Sequence, residues 1–254
     1  MLAKERLVYI INRLQVRPSI SVQELSREMN VSLSTVQRDL IKLEKEGRIE
    51  RSRGGAISHR VSEMLSGESD IAVSEKIHLH QAEKEIIAKN AIKFIKDGEC
   101  IFLDSGTTIA HLVPYIMNRN ITIVTNSMEL VPVLAESDHK IIILGGTYSK
   151  RGKRTFGGYS LEMLDSLYFD LSFIGMDGCK DIDGPATTSE EETYINKIVL
   201  RRSKKNIIIS DSSKFENHAN FQFAKFSDFD LLITNKISED EKRRIGIEVI
   251  EAAA

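Results

Sequence analysis

The 254 residues are 41% hydrophobic with a net charge of -2, a composition that allows a substantial core and excludes a disordered chain. Apolar runs are broken by charge well before the roughly 18 residues of a membrane span, and no apolar signal segment follows MLAKERL, so we expect a cytoplasmic protein without a membrane partner. Cys100 and Cys179 lie in apolar stretches and predict no disulfide, redox or metal role.

Charge is distributed unevenly along the chain. Residues 1–60 hold 12 Lys and Arg against 7 Asp and Glu, a net charge of +5, whereas the remainder carries -7. A basic segment on an acidic body is typical of a protein in which a binder of phosphate backbones is joined to a domain with a different ligand. Length alone predicts about two domains.

The basic segment begins with two predicted amphipathic helices. The first has an apolar stripe at helical spacing and is closed by Pro18. The second follows Ser21, a residue suited to cap a helix, and ends at Asn30. Its apolar face consists of Val22, Leu25 and Met29.

A third helix is predicted after a tight turn, capped by Ser32 and ended by Gly47. Its apolar stripe consists of Leu33, Val36, Leu40 and Leu43. Two short helices joined in this way are typical of a helix-turn-helix, whose second helix enters the major groove of DNA. The predicted DNA contacts on this helix are Ser32, Ser34, Thr35, Gln37, Arg38 and Lys42.

The stretch RIERSRGGAISHR predicts a hairpin that bends at Gly54-Gly55. Arg48, Arg51 and Arg53 lie in and around its first strand and are expected to contact a phosphate strand. The segment 1–58 is therefore interpreted as a winged helix-turn-helix. The alternative is a small three-helix domain with a solvated basic hairpin that binds no nucleic acid, and the pattern alone leaves both open.

A polar, aperiodic stretch at 59–73 is interpreted as an interdomain linker, and 74–254 as a second domain. A helical pattern runs from Ser74 to Asp97, in which His78 and His80 are interpreted as surface residues and not as metal ligands. From Glu99 onward, apolar strands alternate with helices. This alternation predicts an α/β domain with a mostly parallel sheet covered on both faces.

Polar loops follow the predicted strands of this domain, and parallel strands bring such loops to one edge of the sheet. The loops are 104–108, 125–127, 145–146, 177–178 and 211–214. In the first, LDSGTT, Gly106 is expected to let the chain bend, while Ser105, Thr107 and Thr108 place hydroxyls beside the N–H groups of a helix start, a seat for phosphate. Asp104 repels phosphate, so we expect it to accept hydrogen bonds from ligand hydroxyls or from the loop itself.

Together these features favour a phosphorylated sugar or polyol as ligand, although a capped structural turn has the same pattern. The loop TYSKRGKRTFGG, with Lys150, Arg151, Lys153 and Arg154, is interpreted as a solvated basic loop, with a mobile cover over the anion as the alternative. Lys214 follows a predicted strand end, where its ammonium either neutralises phosphate or is solvated.

The segment VSLSTVQRDLIKLEKEGRIERSRGGA resembles the DNA-binding signature of DeoR-type bacterial repressors over some 25 residues. Gln37 stands where that family usually has arginine, and Arg53 where it usually has histidine. The resemblance implies binding to double-stranded operator DNA. Since Gln prefers adenine where Arg prefers guanine, the operator is expected to differ at one position.

The motifs LDSGTT, TNS, LGG, FIG and SDSSKF are similar to successive signatures of the DeoR-type effector domain, so the resemblance covers nearly the whole chain. It implies a domain resembling ribose-5-phosphate isomerase and a phosphorylated sugar as inducer. It also implies that Thr125, Asn126, Gly145 and Lys214 surround a ligand whose phosphate lies on 105–108. No cofactor is implied.

The leading hypothesis is a repressor that a sugar phosphate releases from DNA, acting as a homo-oligomer, either a dimer or a tetramer. The alternative is a sugar-phosphate isomerase with a DNA-binding arm, for which Asp104, Asp177 and Glu192 supply carboxylates near the predicted edge. No recognisable catalytic set accompanies them, so we expect a regulator and not an enzyme. An activator remains an open alternative to a repressor.

Overall fold

The structure, a computed structural model, describes residues 3–16, 19–45, 49–52, 55–57 and 73–253. The chain divides into two compact units, Met1–Ile71 and Ala72–Ala254, each with its own hydrophobic core. The predicted linker 59–73 lies outside the described residues except for Val73, which begins a helix.

The described part of the N-terminal unit combines helices with a small antiparallel sheet. Its elements are α1 (Ala3–Val16), β1 (Ser19–Ser21), α2 (Val22–Met29), α3 (Leu33–Lys45), β2 (Glu50–Ser52) and β3 (Gly55–Ile57). β3 pairs with both β1 and β2, which confirms the predicted hairpin. The predicted helix ends at Pro18 and Gly47, and the first turn glycine Gly54, lie outside the described residues.

Side-chain caps define the helix-turn-helix. The Ser21 hydroxyl accepts a hydrogen bond from the Glu24 N–H at 3.1 Å, and the Glu24 carboxylate accepts one from the Ser21 N–H at 3.0 Å. Asn30 ends α2 in the left-handed conformation, with φ of 51°. The Ser32 hydroxyl accepts from the Thr35 N–H at 3.2 Å, so both predicted helix starts are confirmed.

The predicted apolar stripe of α3 is wrong at Leu33. Val36 and Leu40 are buried, but Leu33 is 49% exposed. Helical side chains lean toward the N-terminus, so the side chain of the first helical residue extends past the end of the helix and not onto the core. The core side of α3 instead includes Asp39, whose carboxylate pairs with the Arg6 guanidinium of α1 at 2.6 Å.

The second unit contains a large sheet with helices on both sides. Its helices are α4 (Val73–Lys76), α5 (Gln81–Ala91), α6 (Thr107–Ala110), α7 (Val131–Leu134), α8 (Gly158–Asp165), α9 (Glu190–Arg202) and α10 (Glu239–Ile245). Its strands are β4 (Cys100–Leu103), β5 (Thr122–Thr125), β6 (Lys140–Ile143), β7 (Thr147–Ser149), β8 (Arg154–Phe156), β9 (Leu171–Ile174), β10 (Ala186–Thr187), β11 (Asn206–Ile209), β12 (Phe221–Gln222), β13 (Leu231–Thr234) and β14 (Val249–Glu251). Within the described ranges, no helix combines the length and the apolar character needed to cross a membrane.

Seven strands form one parallel sheet in the order β14-β13-β11-β9-β4-β5-β6, which confirms the predicted α/β architecture. Side chains alternate between the two faces: Ile101 of β4 packs with Ile87 of α5, and Phe102 packs in the opposite layer with Ile195 of α9. The carboxyl ends of all seven strands therefore meet at one edge of the sheet.

Several helices are shorter than the sequence pattern predicts. The predicted helix after LDSGTT is reduced to α6 and a 3-10 turn, Val113–Tyr115, that contains Pro114. The next predicted helix is reduced to α7, with Pro132 near its start. Proline lacks a backbone N–H and clashes with the preceding turn, which limits both helices. The helical pattern from Ser74 is also broken, at His80, where φ is 52°.

Candidate functional sites

The DNA contacts predicted for α3 lie on one face of the helix. Ser32, Ser34, Gln37, Arg38 and Lys42 are exposed, and Thr35 is half-buried. The Arg38 guanidinium lies along the helix, with Nε donating to the Ser34 carbonyl at 3.3 Å. Arg51 lies in β2 opposite Ala56, while Arg48 and Arg53 lie outside the described residues.

The loop 104–108 leaves the carboxyl end of β4 and is tied down by Asp104. One Asp104 carboxylate oxygen accepts from the Ser105 N–H at 2.7 Å, and the other accepts from the Gly175 N–H, just after β9, at 3.1 Å. Burial raises the pKa of Asp104, and these two N–H groups oppose that rise. Of the two expected roles, the structure shows Asp104 binding backbone N–H groups.

Gly106 does not provide a glycine-specific bend, since its φ of -67° suits any residue. Close packing is what a side chain here would disturb: an added Cβ would lie 3.0 Å from Ile109 Cδ1 and 3.7 Å from Gly175 Cα. The N–H groups of 106–108 donate to no described protein atom. Because α6 spans four residues, its dipole is small, and the predicted phosphate seat depends on these N–H groups and the neighbouring hydroxyls.

Asp177, after β9, forms a second carboxylate position at this edge. It accepts hydrogen bonds from the Lys76 ammonium at 2.7 Å and from the Thr188 N–H at 3.0 Å. Burial alone would raise the pKa of Asp177, but the Lys76 charge and these hydrogen bonds hold it below its usual range. Asp177 is therefore an ionised carboxylate whose negative charge is balanced by the Lys76 ammonium.

Glu192, on the first turn of α9, is the third carboxylate. One oxygen pairs with the Arg154 guanidinium at 2.8 Å and lies 3.5 Å from the Ser105 hydroxyl, while the other accepts from the Thr187 hydroxyl. Burial raises the pKa of Glu192 to about 7; nearby Asp177 adds to the rise and Arg154 opposes it. Its carboxyl therefore changes charge near neutral pH.

The segment TYSKRGKRTF is a hairpin in which β7 pairs antiparallel with β8. Its interpretation as a solvated loop is wrong for Arg154, which is 7% exposed. The Met128 N–H donates to the Lys153 carbonyl at 2.8 Å, and the Thr155 N–H donates to the Asn126 carbonyl at 2.9 Å. These bonds dock the hairpin on the loop after β5 and direct Arg154 inward.

A polar cavity of about 40 Å³ lies among these groups. It is lined by Asp104, Gly175, Met176, Asp177, Thr187, Glu192 and Asn196. The Asn196 side-chain oxygen is buried and has no hydrogen-bond partner among the described residues. A volume of this size accommodates a water molecule or a hydroxyl group but not a whole sugar phosphate.

Other predicted effector residues make structural contacts near this edge. The Thr125 hydroxyl donates to the Leu103 carbonyl at 2.6 Å, and the Asn126 side chain donates to the Thr155 carbonyl at 3.3 Å. The Gly145 carbonyl accepts from the Ser160 hydroxyl at 2.5 Å. None of these three predicted residues lines the cavity described above.

Two lysines add positive charge on the side of β11. Lys214 lies in a 3-10 turn, Ser212–Glu216, where its charge acts on Asp177 and Lys84. Lys84 is buried, and its ammonium donates to the Lys76 carbonyl at 2.5 Å. Burial lowers the pKa of Lys84 to about 8, and the charge of Asp211 opposes this shift.

Sequence reasoning did not single out Lys76, Lys84 or Asn196 as site residues, and it placed Arg154 near the anion only in the alternative of a mobile cover. Asn196 had a usable signal, because it lies four residues after Glu192 and shares its helix face. The two lysines had no such signal, since surface and buried cations look alike in a sequence. Among the described residues, no group of three His, Cys, Asp or Glu side chains is placed to hold a metal ion.

Residues 79–236 match the family model of the DeoR C-terminal sensor domain, and residues 6–61 match that of the DeoR-like helix-turn-helix domain. The chain belongs to the DeoR family of transcriptional regulators. This membership confirms the interpretation as a DNA-binding regulator, and the DeoR family is one of regulators and not of enzymes.

Curated relatives align with this DeoR-family chain over almost its whole length. The HTH-type transcriptional repressor GlcR of Bacillus subtilis is 30% identical, covering 98% of this chain and 96% of the relative. The HTH-type transcriptional regulator GlpR of Haloferax volcanii is 30% identical, covering 100% of both. The lactose phosphotransferase system repressor of Staphylococcus epidermidis is 31% identical, covering 97% and 98%.

Solved structures are more distant. Ribose 5-phosphate isomerase A of Methanocaldococcus jannaschii aligns with a TM-score of 0.40 and 20% identity, covering 53% of this chain and 54% of the other. The sorbitol operon regulator SorC of Klebsiella pneumoniae aligns with a TM-score of 0.39 and 13% identity, covering 94% and 98%.

Proposed function

We propose that this DeoR-family regulator is a cytoplasmic repressor of a sugar catabolism operon that a phosphorylated sugar or polyol releases from its operator. In this proposal 1–58 bind the operator, 59–73 connect the domains, and 74–254 bind the effector and hold a homo-oligomer together. The names of its relatives support the assignment: one is a lactose phosphotransferase system repressor and another a putative aga operon transcriptional repressor.

The proposed effector site rests on the contrast between the loop 105–108, which offers hydrogen-bond donors, and the cavity beside it, which offers acceptors. The loop offers N–H groups without a described acceptor together with hydroxyls, which are donors suited to a phosphate. The cavity offers the carboxylates of Asp177 and Glu192 and the unpartnered oxygen of Asn196, which are acceptors suited to sugar hydroxyls. A molecule with phosphate at one end and hydroxyls at the other satisfies both.

Cations complete the proposed site. Lys214 neutralises the phosphate from the side of β11, and the buried Lys84 adds a second positive charge that interacts with Lys214. Thr125 supports the loop through its bond to the Leu103 carbonyl, and Asn126 and Gly145 hold the hairpin and α8 around the ligand.

Two experiments in sequence test this function. A thermal-shift screen of sugar phosphates and polyol phosphates on the full chain identifies a ligand, which is then titrated against the operator complex. Release of DNA by a phosphorylated sugar, and not by the same sugar without phosphate, is the expected result. A screen without any stabilising phosphate, or a hit that the protein converts chemically, would contradict the proposal.

A further inference from the structure

The Glu192 carboxylate lies where the proposed phosphate seat meets a buried cation. A single oxygen, Oε1, is 2.8 Å from the Arg154 guanidinium and 3.5 Å from the Ser105 hydroxyl. Ser105 belongs to the loop assigned to phosphate. An oxygen of the protein's own carboxylate thus bridges two donors that an oxygen of a bound phosphate would contact.

Arg154 is held in this position by its surroundings. A Cβ on Gly152 would overlap the Arg154 guanidinium, so the absence of a side chain there makes room for it. The backbone of Arg154 forms an isolated bridge with Ser127 after β5 and pairs with Ser149 in the hairpin. A cation fixed in this way is presented to an anion that reaches Ser105.

The three carboxylates differ in how they are satisfied. Asp104 is bound by backbone N–H groups, and Asp177 is neutralised by Lys76. Glu192 has Arg154 as its cation, and the partnerless Asn196 oxygen lies in the same cavity. Of the three carboxylates, Glu192 is therefore the one whose partner, Arg154, an incoming anion would bind.

We propose that Glu192 is a built-in competitor of the effector: its carboxylate occupies Arg154 and Ser105 until an effector oxyanion displaces it. This inference rests on the proposed function and adds a specificity-determining pair to it. Arg154 selects effectors with an anionic group next to Ser105, and Glu192 sets the concentration at which such a group gains access. Sugars without an anionic group do not displace Glu192.

The groups facing Glu192 determine how this competition depends on pH. Arg154 faces it from β8, Asp104 and Ser105 from the loop after β4, Asp177 with its partner Lys76 from the loop after β9, Thr187 from β10, and Asn196 from α9 itself. Burial and the two aspartates raise the pKa of Glu192 to about 7. A neutral Glu192 competes less for Arg154, so anions should bind more tightly as pH falls through this value.

The test measures binding of sulfate to the full chain by calorimetry, because sulfate keeps its double charge from about pH 6 to about pH 8 whereas sugar phosphates titrate in this range. Glu192→Gln should bind sulfate at least about fivefold more tightly than the native protein at the upper pH and show little pH dependence. Arg154→Gln should bind it at least about fivefold more weakly than the native protein. The matched control is Glu190→Gln, the same charge change on the same helix turn at an exposed side chain, and should match the native protein.

Sulfate binding by Glu192→Gln that is unchanged or weaker than native would overturn the proposal and make Glu192 a ligand contact. Urea denaturation of each variant reports whether the second unit is folded. Should Glu192→Gln fail to fold, Arg154→Gln decides: sulfate binding as tight as that of the native protein overturns the idea. Release of operator by a sugar phosphate together with a negative sulfate result would leave the proposed function intact while removing this inference.

Discussion

The ammonium of Lys76 donates a 2.7 Å hydrogen bond to the carboxylate of Asp177, which lies 101 residues further along the chain. Both side chains are mostly buried, so removal of the ammonium leaves a poorly solvated carboxylate. We expect Lys76→Met to lower the free energy of unfolding by about 1.5 to 3 kcal/mol at neutral pH, measured by urea denaturation.

The control for this change is Lys204→Met, which removes an ammonium bonded to Asp170 at a similar distance, 2.8 Å, on the surface; it should have a much smaller effect. The pKa of Asp177 is held below its usual range, so the stability from this pair is present above the unfolded pKa of about 3.9 and is lost as pH falls below it. A stability difference between native protein and Lys76→Met that persists unchanged in acid would contradict the assignment.

Arg38→Ala should lower operator affinity, because the Arg38 side chain is exposed on the predicted reading face of α3. Loss of a base contact would relax one operator position by about 1 to 3 kcal/mol, and loss of a phosphate contact would weaken binding to all DNA. Fluorescence anisotropy with the operator and a scrambled duplex distinguishes the two. Arg201→Ala, an exposed arginine of the other unit, controls for charge; equal operator affinity of both variants and the native protein would remove Arg38 from the interface.

Gln37→Arg should shift base preference at one operator position toward guanine, since an arginine side chain donates two hydrogen bonds to guanine where glutamine pairs with adenine. Selection of operators from a random pool by the native protein and the variant measures this shift. Identical selected sequences would place Gln37 off the bases.

Gly106→Val should give a repressor that binds its operator and does not release it. A valine at this position adds atoms where a Cβ is already 3.0 Å from Ile109 Cδ1, so it fills the seat or displaces the loop. Operator release is titrated with the sugar phosphate from the screen. Gly158→Val is the control, because a Cβ there meets nothing within 4 Å; release at the native concentration by Gly106→Val would make LDSGTT a structural turn.

Lys214→Ala should raise the effector concentration needed for release by tenfold or more, corresponding to a charged hydrogen bond of about 1.5 to 3 kcal/mol. The comparison is Lys225→Ala, whose ammonium lies on the surface 3.5 Å from Asp183. If both variants released half of the operator at the same effector concentration, the Lys214 ammonium would be solvated and not in contact with the effector. Coupling between effector and DNA is usually about 1 to 3 kcal/mol, so partial release at saturation is compatible with the prediction.

The full chain should sediment as a dimer or tetramer, because one winged helix covers a short site and specific control requires two half-sites. A fragment ending at Ser58 should be monomeric and bind the operator weakly. Tight operator binding by that fragment at physiological salt would show that the second unit is not needed for assembly on DNA.

Local patterns in the sequence were sufficient for the parts of this protein that short-range physics determines. Ser21 and Ser32 cap α2 and α3 as predicted, because a cap joins residues three apart. The apolar strands predicted the parallel sheet, and with it the position of Asp104 and its loop at the carboxyl edge, since strand direction follows from the strand-helix alternation.

Tertiary structure decided which charges meet at that edge. Arg154 reads as one of several basic residues of a surface loop, and nothing in its neighbours indicates that a hairpin will carry it to Glu192 on α9. The pairing of Lys76 with Asp177 is likewise not indicated by any local pattern in the sequence. Periodicity records the face of an element on which a residue lies, whereas these contacts depend on how elements far apart in the chain pack together.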